Sequence, residues 1–174
     1  MSLLLGFVLL FAASPIPGVP MPPDGAVDQV FTEIYAARAN AETKSALVQL
    51  EADPSRTSAE KKEIRKRLEK VRVVVLTTPK TLDEAVAFYE REVKGARFNF
   101  AVRNLEADLK DGMKSGAIKA DEGAVARAAG QRSRSARWNR PDGALEIAIE
   151  DRLLDPRNGA IVSKTVVLVT SLGD

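Results

Sequence analysis

Residues 71–93, VRVVVLTTPKTLDEAVAFYEREV, carry the strongest structural signal in the chain. The first eight of them, Val71–Thr78, are β-branched and almost entirely apolar, which predicts a central strand ended by Pro79. Thr81 and Glu84 have the spacing of a capping box, which predicts that a helix begins there. The apolar face of this helix repeats at helical spacing and consists of Leu82, Ala85, Val86, Tyr89 and Val93.

Two helices are predicted upstream of this strand. Asp24 is placed to cap a first helix that extends to about Ala52, and a strand over 27–35 is the less favoured alternative. A second capping box at Thr57 starts a helix over 58–70 that has a narrow apolar face and many basic residues. The chain therefore begins its folded part with helices and continues with a strand–helix–strand unit.

Downstream, short apolar runs alternate with turn signals. The remaining predicted elements are a half-buried strand over 97–103, a short helix from Asn104 to Gly112, a further helix over 121–129, a strand over 131–138, and a hairpin of strands 145–154 and 160–170 around the turn 155–159. We interpret the Gly- and Ala-rich stretch 113–130 as an insertion or a mobile arm. The order of elements predicts a single α+β domain over 21–174, with an antiparallel or mixed sheet of about five strands and helices on one face.

The N-terminal residues have features of a targeting segment. Leu3–Ala13 is a continuous apolar run of the length of a signal-peptide core, shorter than a membrane span. Small residues and then a proline-rich stretch over 15–23, interpreted as an extended tether, follow it. We expect residues 1–20 to be a signal peptide or an N-terminal anchor, and the protein to be exported, periplasmic or extracellular. The absence of Lys and Arg before Arg38 departs from the usual pattern.

Composition excludes several chemistries. The 174 residues contain no His and no Cys, which excludes imidazole bases, thiol nucleophiles, zinc fingers and disulfides. The formal net charge of +2 is too balanced to indicate a nucleic-acid binder by itself. The chain shows no phosphate-binding glycine loop and no calcium-loop spacing. We therefore predict no catalytic residues, no metal site and no cofactor.

A first candidate binding surface is the basic segment 56–72, within which Lys62, Arg65 and Lys66 crowd one helix. Such a segment is suited to nucleic acid, anionic lipid or an acidic partner. The alternative is a solvated helix face whose glutamates pair with these cations.

A second candidate is the basic segment 127–140. Its binding residues would be Arg132, Arg134, Arg137 and Trp138. Arginine beside an aromatic ring suits phosphate contact with base stacking. In a strand, Arg132, Arg134 and Trp138 share one face and Arg137 points away. The alternative is that Trp138 belongs to the core and the arginines pair with Glu146, Glu150 and Asp151.

The segment Val73–Val93 and the preceding VPMPPDGA stretch resemble a loose group of small exported bacterial proteins. The shared pattern is a proline-rich entry after a signal peptide, here Pro20–Ala26, and then a strand ending in Thr-Thr-Pro. A helix ending in Phe88-Tyr89 completes the pattern, which covers about 30 residues. The resemblance implies a periplasmic or secreted α+β domain of no known activity, and it transfers no catalytic residue.

These observations favour an exported, non-catalytic binding or interaction domain whose partner is an envelope protein or a small ligand. The alternative is a binder of anionic surfaces or nucleic acid through segments 56–72 and 127–140, although export argues against nucleic acid. Membrane contact is expected only through an uncleaved N-terminus. The Ala-rich first helix leaves a homodimer open.

Overall fold

A computed structural model describes residues 15–172 of the chain. Its helices are α1 Gln29–Ala52, α2 Ser58–Leu68, α3 Leu82–Glu92, α4 Leu105–Lys114 and α5 Glu122–Ala128. Its strands are β1 Ala26–Val27, β2 Arg72–Thr78, β3 Asn99–Asn104, β4 Arg132–Asn139, β5 Leu145–Glu150, β6 Leu153–Leu154, β7 Ile161–Val162 and β8 Thr165–Ser171. The expected signal peptide falls mostly on residues 1–14, which lie outside the described part. None of the helices in the described part combines the length and the apolar character needed to cross a membrane.

Six strands form an antiparallel sheet in the order β1-β2-β8-β5-β4-β3, and β6 and β7 form a separate two-stranded sheet. The α+β class and the antiparallel sheet expected from the sequence are confirmed. Strand β2 is second from one edge of the sheet rather than central. Its outer neighbour, β1, is short and pairs with it only at Ala26 and Val27. The centre of the sheet is formed by β8 and β5.

Helices cover both faces of the sheet, whereas the sequence placed them on one. Val74 and Leu76 of β2 pack in the main core with α3, while Val75 packs on the opposite face with Phe31 of α1. The reason lies in the composition of β2 and β8. Both are apolar at consecutive positions, so each of their two faces needs a cover.

The predicted helix boundaries are confirmed at three capping residues and shifted at one. Thr57 and Thr81 both complete capping boxes with the glutamate three residues later, and Asn104 caps α4. Helix α1 is capped by Asp28, whose side chain accepts from the backbone N–H of Phe31. Asp24 lies instead in a turn with a positive φ of 54° before β1, where Asp is tolerated.

The predicted hairpin after residue 145 bends before its tip. Strands β5 and β8 pair in the main sheet, and the tip strands β6 and β7 pair separately around the turn 155–159. The tip packs against α4 and α5 in a small second core made of Leu105, Leu109, Ala124, Ala128 and Leu154. The segment 113–130, interpreted from the sequence as an insertion or a mobile arm, supplies α5 to this core. Helix α5 lies within the helix predicted over 121–129 and is capped by Asp121.

The proline-rich segment is packed rather than extended. Ile16 and Val19 are 2% and 1% exposed, and they belong to the main core beneath α3. The backbone N–H of Val19 donates to the carbonyl of Ile16, which closes a turn between two prolines. Residues assigned from the sequence to the leader or tether therefore contribute to the hydrophobic core.

Candidate functional site

The half of the sheet that α1 leaves uncovered forms the floor of a cleft. On the face of the sheet that contacts α1, strands β5, β4 and β3 present polar residues rather than apolar ones. The cleft between this floor and α1 has a volume of about 450 Å³. It is lined by Tyr35, Arg38, Glu42, Val75, Arg103, Arg137, Ala148, Glu150, Leu153, Val166 and Leu168.

Arg103 is the centre of the polar floor. From the edge strand β3 it donates to Glu150 of β5 at 2.6 Å and to Asp108 of α4 at 3.0 Å. Arg137 of β4 lies on the same face and pairs with Glu146 at 3.3 Å. The cleft floor is thus a network of two guanidinium groups and three carboxylates contributed by three strands and one helix.

Burial sets the electrostatics of the cleft. The Glu150 side chain is only 14% exposed, and its desolvation raises the pKa of the carboxyl group, against the opposing effect of the Arg103 guanidinium. Burial, with a contribution from the charge of Glu150, raises the pKa of Tyr35 to about 12. The phenol of Tyr35 therefore stays protonated at neutral pH and can act as a hydrogen-bond donor in the cleft.

The cleft continues under α4 as a second cavity of about 390 Å³. The two cavities share Tyr35, Arg38, Arg103, Glu150 and Leu153. Gly112 and Ile118 both line the second cavity and lie close together, since a Cβ on the glycine would come within 2.6 Å of the Ile118 side chain. A ligand in the cleft would meet Tyr35, Arg38 and Glu42 on the α1 side, apolar residues of β2 and β8, and the charged floor formed by β3–β5.

The arrangement suits binding better than acid–base chemistry. Glu150 and Asp108 converge, but both accept hydrogen bonds from the same guanidinium, that of Arg103, so each carboxylate is already engaged in an ion pair. The carboxylates of the described residues 15–172 do not come together in any group able to hold a metal ion. What the cleft offers is a mixed set of hydrogen-bond donors and acceptors beside an apolar wall, which is the usual composition of a small-ligand site.

Of the predicted residues in segment 127–140, only Arg137 lines the cleft. Trp138 is buried in the main core. Arg134 forms a two-bond ion pair with Asp83 of α3, at 2.8 and 3.0 Å, and its guanidinium lies over the ring of Phe100 at 6.0 Å. Arg132 is exposed. The aromatic neighbour expected for Arg134 is therefore Phe100, not Trp138.

The predicted residues of segment 56–72 lie on α2, which contributes no residue to the cleft lining. Arg65 pairs with Glu51 near the end of α1, and neighbouring Lys61 donates to the Glu51 carbonyl at 2.8 Å. Lys62 and Lys66 are exposed on the solvent side. Arg67 donates to the carbonyl of Asp142 in the β4–β5 turn, at the opposite end of β4 from Arg132.

Sequence reasoning missed Tyr35, Arg38 and Arg103. Tyr35 and Arg38 lie three residues apart on a helix of weak amphipathicity, and Arg103 lies in an alternating strand that predicts an ordinary solvent face. One signal was available: an arginine and an isolated glutamate on predicted strands can pair across a sheet.

Comparison of the chain with protein-family models, with curated proteins and with solved structures finds no match.

Proposed function

We propose that the protein is an exported, non-catalytic binding domain that holds a small ligand in the cleft between α1 and the open half of the sheet. The observation that carries this proposal is the partly buried Arg103–Glu150 pair at the floor of a 450 Å³ cleft. Burying such a pair costs desolvation energy, and a domain selected only for stability would gain from apolar residues there. Retention of the charges is explained if they recognise a ligand.

The lining defines the ligand class. Arg38, Arg103 and Arg137 provide cationic donors, Glu42 and Glu150 provide anionic acceptors, and Val166 with its neighbours provides an apolar wall. A ligand that carries both charges and a short apolar part matches this set. Free amino acids and dipeptides have this composition, so they are the probes of choice.

The ligand proposal is tested by titrating the ¹⁵N-labelled protein with a panel of L-amino acids and dipeptides. We expect amide shift changes confined to α1 and to β3–β5. They should be lost in Arg38→Met and kept in Arg91→Met, a control at an exposed arginine of α3. Probes should be recovered chemically unchanged. Shifts that map to α2 or to the Arg134 side of β4, or no shifts with any probe, would refute the proposal.

Export is supported by the apolar run Leu3–Ala13 and is tested by fractionating the native host and measuring the intact mass of the recovered chain. Because Ile16 and Val19 are core residues, we expect a processed chain to begin no later than Ile16. A processed chain beginning after Ile16, or an unprocessed one in the cytoplasm, would contradict this expectation.

The alternative function, binding of anionic surfaces or nucleic acid, has weaker support. Arg65, Arg134 and Arg137 each face a carboxylate, which offsets their positive charge. Binding to anionic vesicles that weakens steeply with salt and disappears in Lys62→Glu/Lys66→Glu would favour this alternative over the cleft.

A further inference from the structure

Strand β3 is an edge strand of the main sheet. Among the described residues 15–172 it pairs with β4 on one side and with no strand on the other, and five of its six residues are exposed. Phe100 and Val102 share one face, with 56% and 63% of their surface exposed. Edges of natural sheets usually carry a charge, a proline or a bulge that prevents pairing with another strand, and the face of β3 with Phe100 and Val102 carries none of these.

The hydrogen-bond pattern shows which groups of β3 face outward. The N–H of Arg140 donates to Leu145, and the N–H of Asp151 donates to Arg134, so the even-numbered residues of β4 bond to β5. The odd-numbered residues of β4 then bond to β3, and the register places them opposite odd-numbered β3 residues. The N–H and C=O groups of Phe100 and Val102 therefore point away from the sheet.

We propose that a second copy of the chain pairs with this edge, β3 against β3 in antiparallel orientation, with Phe100 opposite the partner's Val102 and Val102 opposite the partner's Phe100. The two outward-facing residues of each copy then exchange backbone hydrogen bonds, and their exposed apolar side chains cover one another. The two six-stranded sheets become one sheet of twelve strands with a two-fold axis at Ala101.

Self-complementarity selects the second copy and the register. In this register Asn99 lies opposite the partner's Arg103, and no like charges face each other. Shifting the pairs to place Phe100 opposite the partner's Phe100 would bring Arg97 opposite the partner's Arg103, which is unfavourable. Shifting the other way would place Phe100 opposite the partner's Asn104 and leave its ring without an apolar neighbour. The sequence of β3 thus fits one antiparallel self-pairing best.

This dimer goes beyond the proposed ligand site and can be tested without a ligand. Light scattering after size exclusion, over a range of protein concentrations, should show a dimer for the purified full-length chain. Val102→Lys should weaken the dimer by at least about tenfold, because each interface buries two copies of the changed side chain. The matched control is Val48→Lys, at a residue 71% exposed on α1, which should leave the dimer unchanged. Equal dimerisation of both variants, or a monomer at every concentration, would overturn the proposal.

A cysteine tests the register directly, since the chain contains no cysteine of its own. Ala101 faces the partner's Ala101 in a non-hydrogen-bonded pair, where the Cα atoms lie about 4.5 Å apart and a disulfide can form. Ala101→Cys should form a covalent dimer on mild oxidation, and Ala126→Cys, at an exposed alanine of α5, should not. Both variants should retain the circular dichroism of the parent. A folded Ala101→Cys protein that stays monomeric under oxidation would show the register to be wrong.

Discussion

Arg103 of the edge strand β3 reaches across β4 to place its guanidinium 2.6 Å from the carboxylate of Glu150 on β5. The strand between them makes this contact feasible. Ser135 of β4 lies opposite Glu150 in the ladder, and its short side chain leaves room for the long arginine. A contact that spans three strands ties the free edge of the sheet to its centre and fixes the floor of the cleft.

Replacing Arg103 by Met should destabilise the protein at neutral pH and much less in acid. Glu150 would be left buried without its counter-charge, at a cost of about 1–3 kcal/mol; the ~3–5 kcal/mol of a fully buried pair is discounted because Arg103 is 39% exposed. The native pKa of Glu150 is raised, so its protonated form is favoured on folding and stability is lost as the pH rises through that pKa. Removing Arg103 raises that pKa further and enlarges this loss.

Urea unfolding of the parent and the Arg103→Met variant at pH 7.5 and near pH 4 measures the effect. The difference in the free energy of unfolding should be largest at pH 7.5 and should shrink at the lower pH, where a neutral Glu150 needs no partner. An equal difference at both pH values would mean that Glu150 is not the group left uncompensated.

Gly159→Ala should be among the most destabilising single-methyl changes in the domain. Gly159 has a φ of +69°, and a Cβ there would lie 2.7 Å from the Cβ of Ala120 and 2.9 Å from Leu109. The left-handed backbone costs about 1–2 kcal/mol and the overpacking about 1–3 kcal/mol more. Gly143 has the same φ with nothing within 4 Å, so Gly143→Ala isolates the backbone cost. The midpoint temperature of thermal unfolding should be clearly lower for Gly159→Ala than for Gly143→Ala. Equal midpoints would contradict the close packing of the β6–β7 tip.

Ile16→Ala should cost about 2–5 kcal/mol of stability, the range for a large-to-small change in a packed core. Val48→Ala, at a mostly exposed position, should change stability by no more than about 0.5 kcal/mol. The free energies of unfolding of the two variants and the parent, measured in denaturant, test this expectation. An Ile16→Ala variant as stable as the parent would show that the proline-rich segment is a tether after all.

Charge reversal separates the two arginines that lie two residues apart at the start of β4. Arg134→Glu should lower stability, because it removes the two hydrogen bonds to Asp83 and places two carboxylates together. Adding Asp83→Lys should restore most of the loss. Arg132→Glu, at an exposed position, should have a smaller effect. Midpoints of urea unfolding at low salt give the comparison, and equal losses for both reversals would exclude the Asp83 pair as the cause.

Local patterns predicted most of the fold. The capping boxes at Thr57 and Thr81 fix helix starts through contacts within three residues, and both are visible in the sequence. The apolar run of β2 also predicted a strand inside the sheet. What it could not indicate was which helix would lie on each face, since that depends on the weakly amphipathic α1 turning back over the sheet through Phe31 and Val75.

The cleft could not be predicted because its residues meet only after folding. Arg103 and Glu150 lie 47 positions apart, and neither belongs to a motif. The arginines of β4 were predicted to be binding residues because they are close in sequence. The pleat of the strand directs Arg134 to α3 and Arg137 to the cleft. Alternation along a strand separates neighbours, so a cluster of like residues in a strand is a poor guide to a site.

The small core that joins α4, α5 and the β6–β7 tip has a consequence for cooperativity. Leu109 and Leu154 belong to this core, and neither packs in the cores on the two faces of the main sheet. Backbone amides of α4, α5, β6 and β7 should therefore exchange with solvent through a partial opening of lower free energy than global unfolding. The second cavity, under α4, is lined by Leu105 and Leu154 of this core and by Arg103 and Glu150 of the main sheet. Occupancy of that cavity should therefore slow exchange in both parts and merge two unfolding units into one.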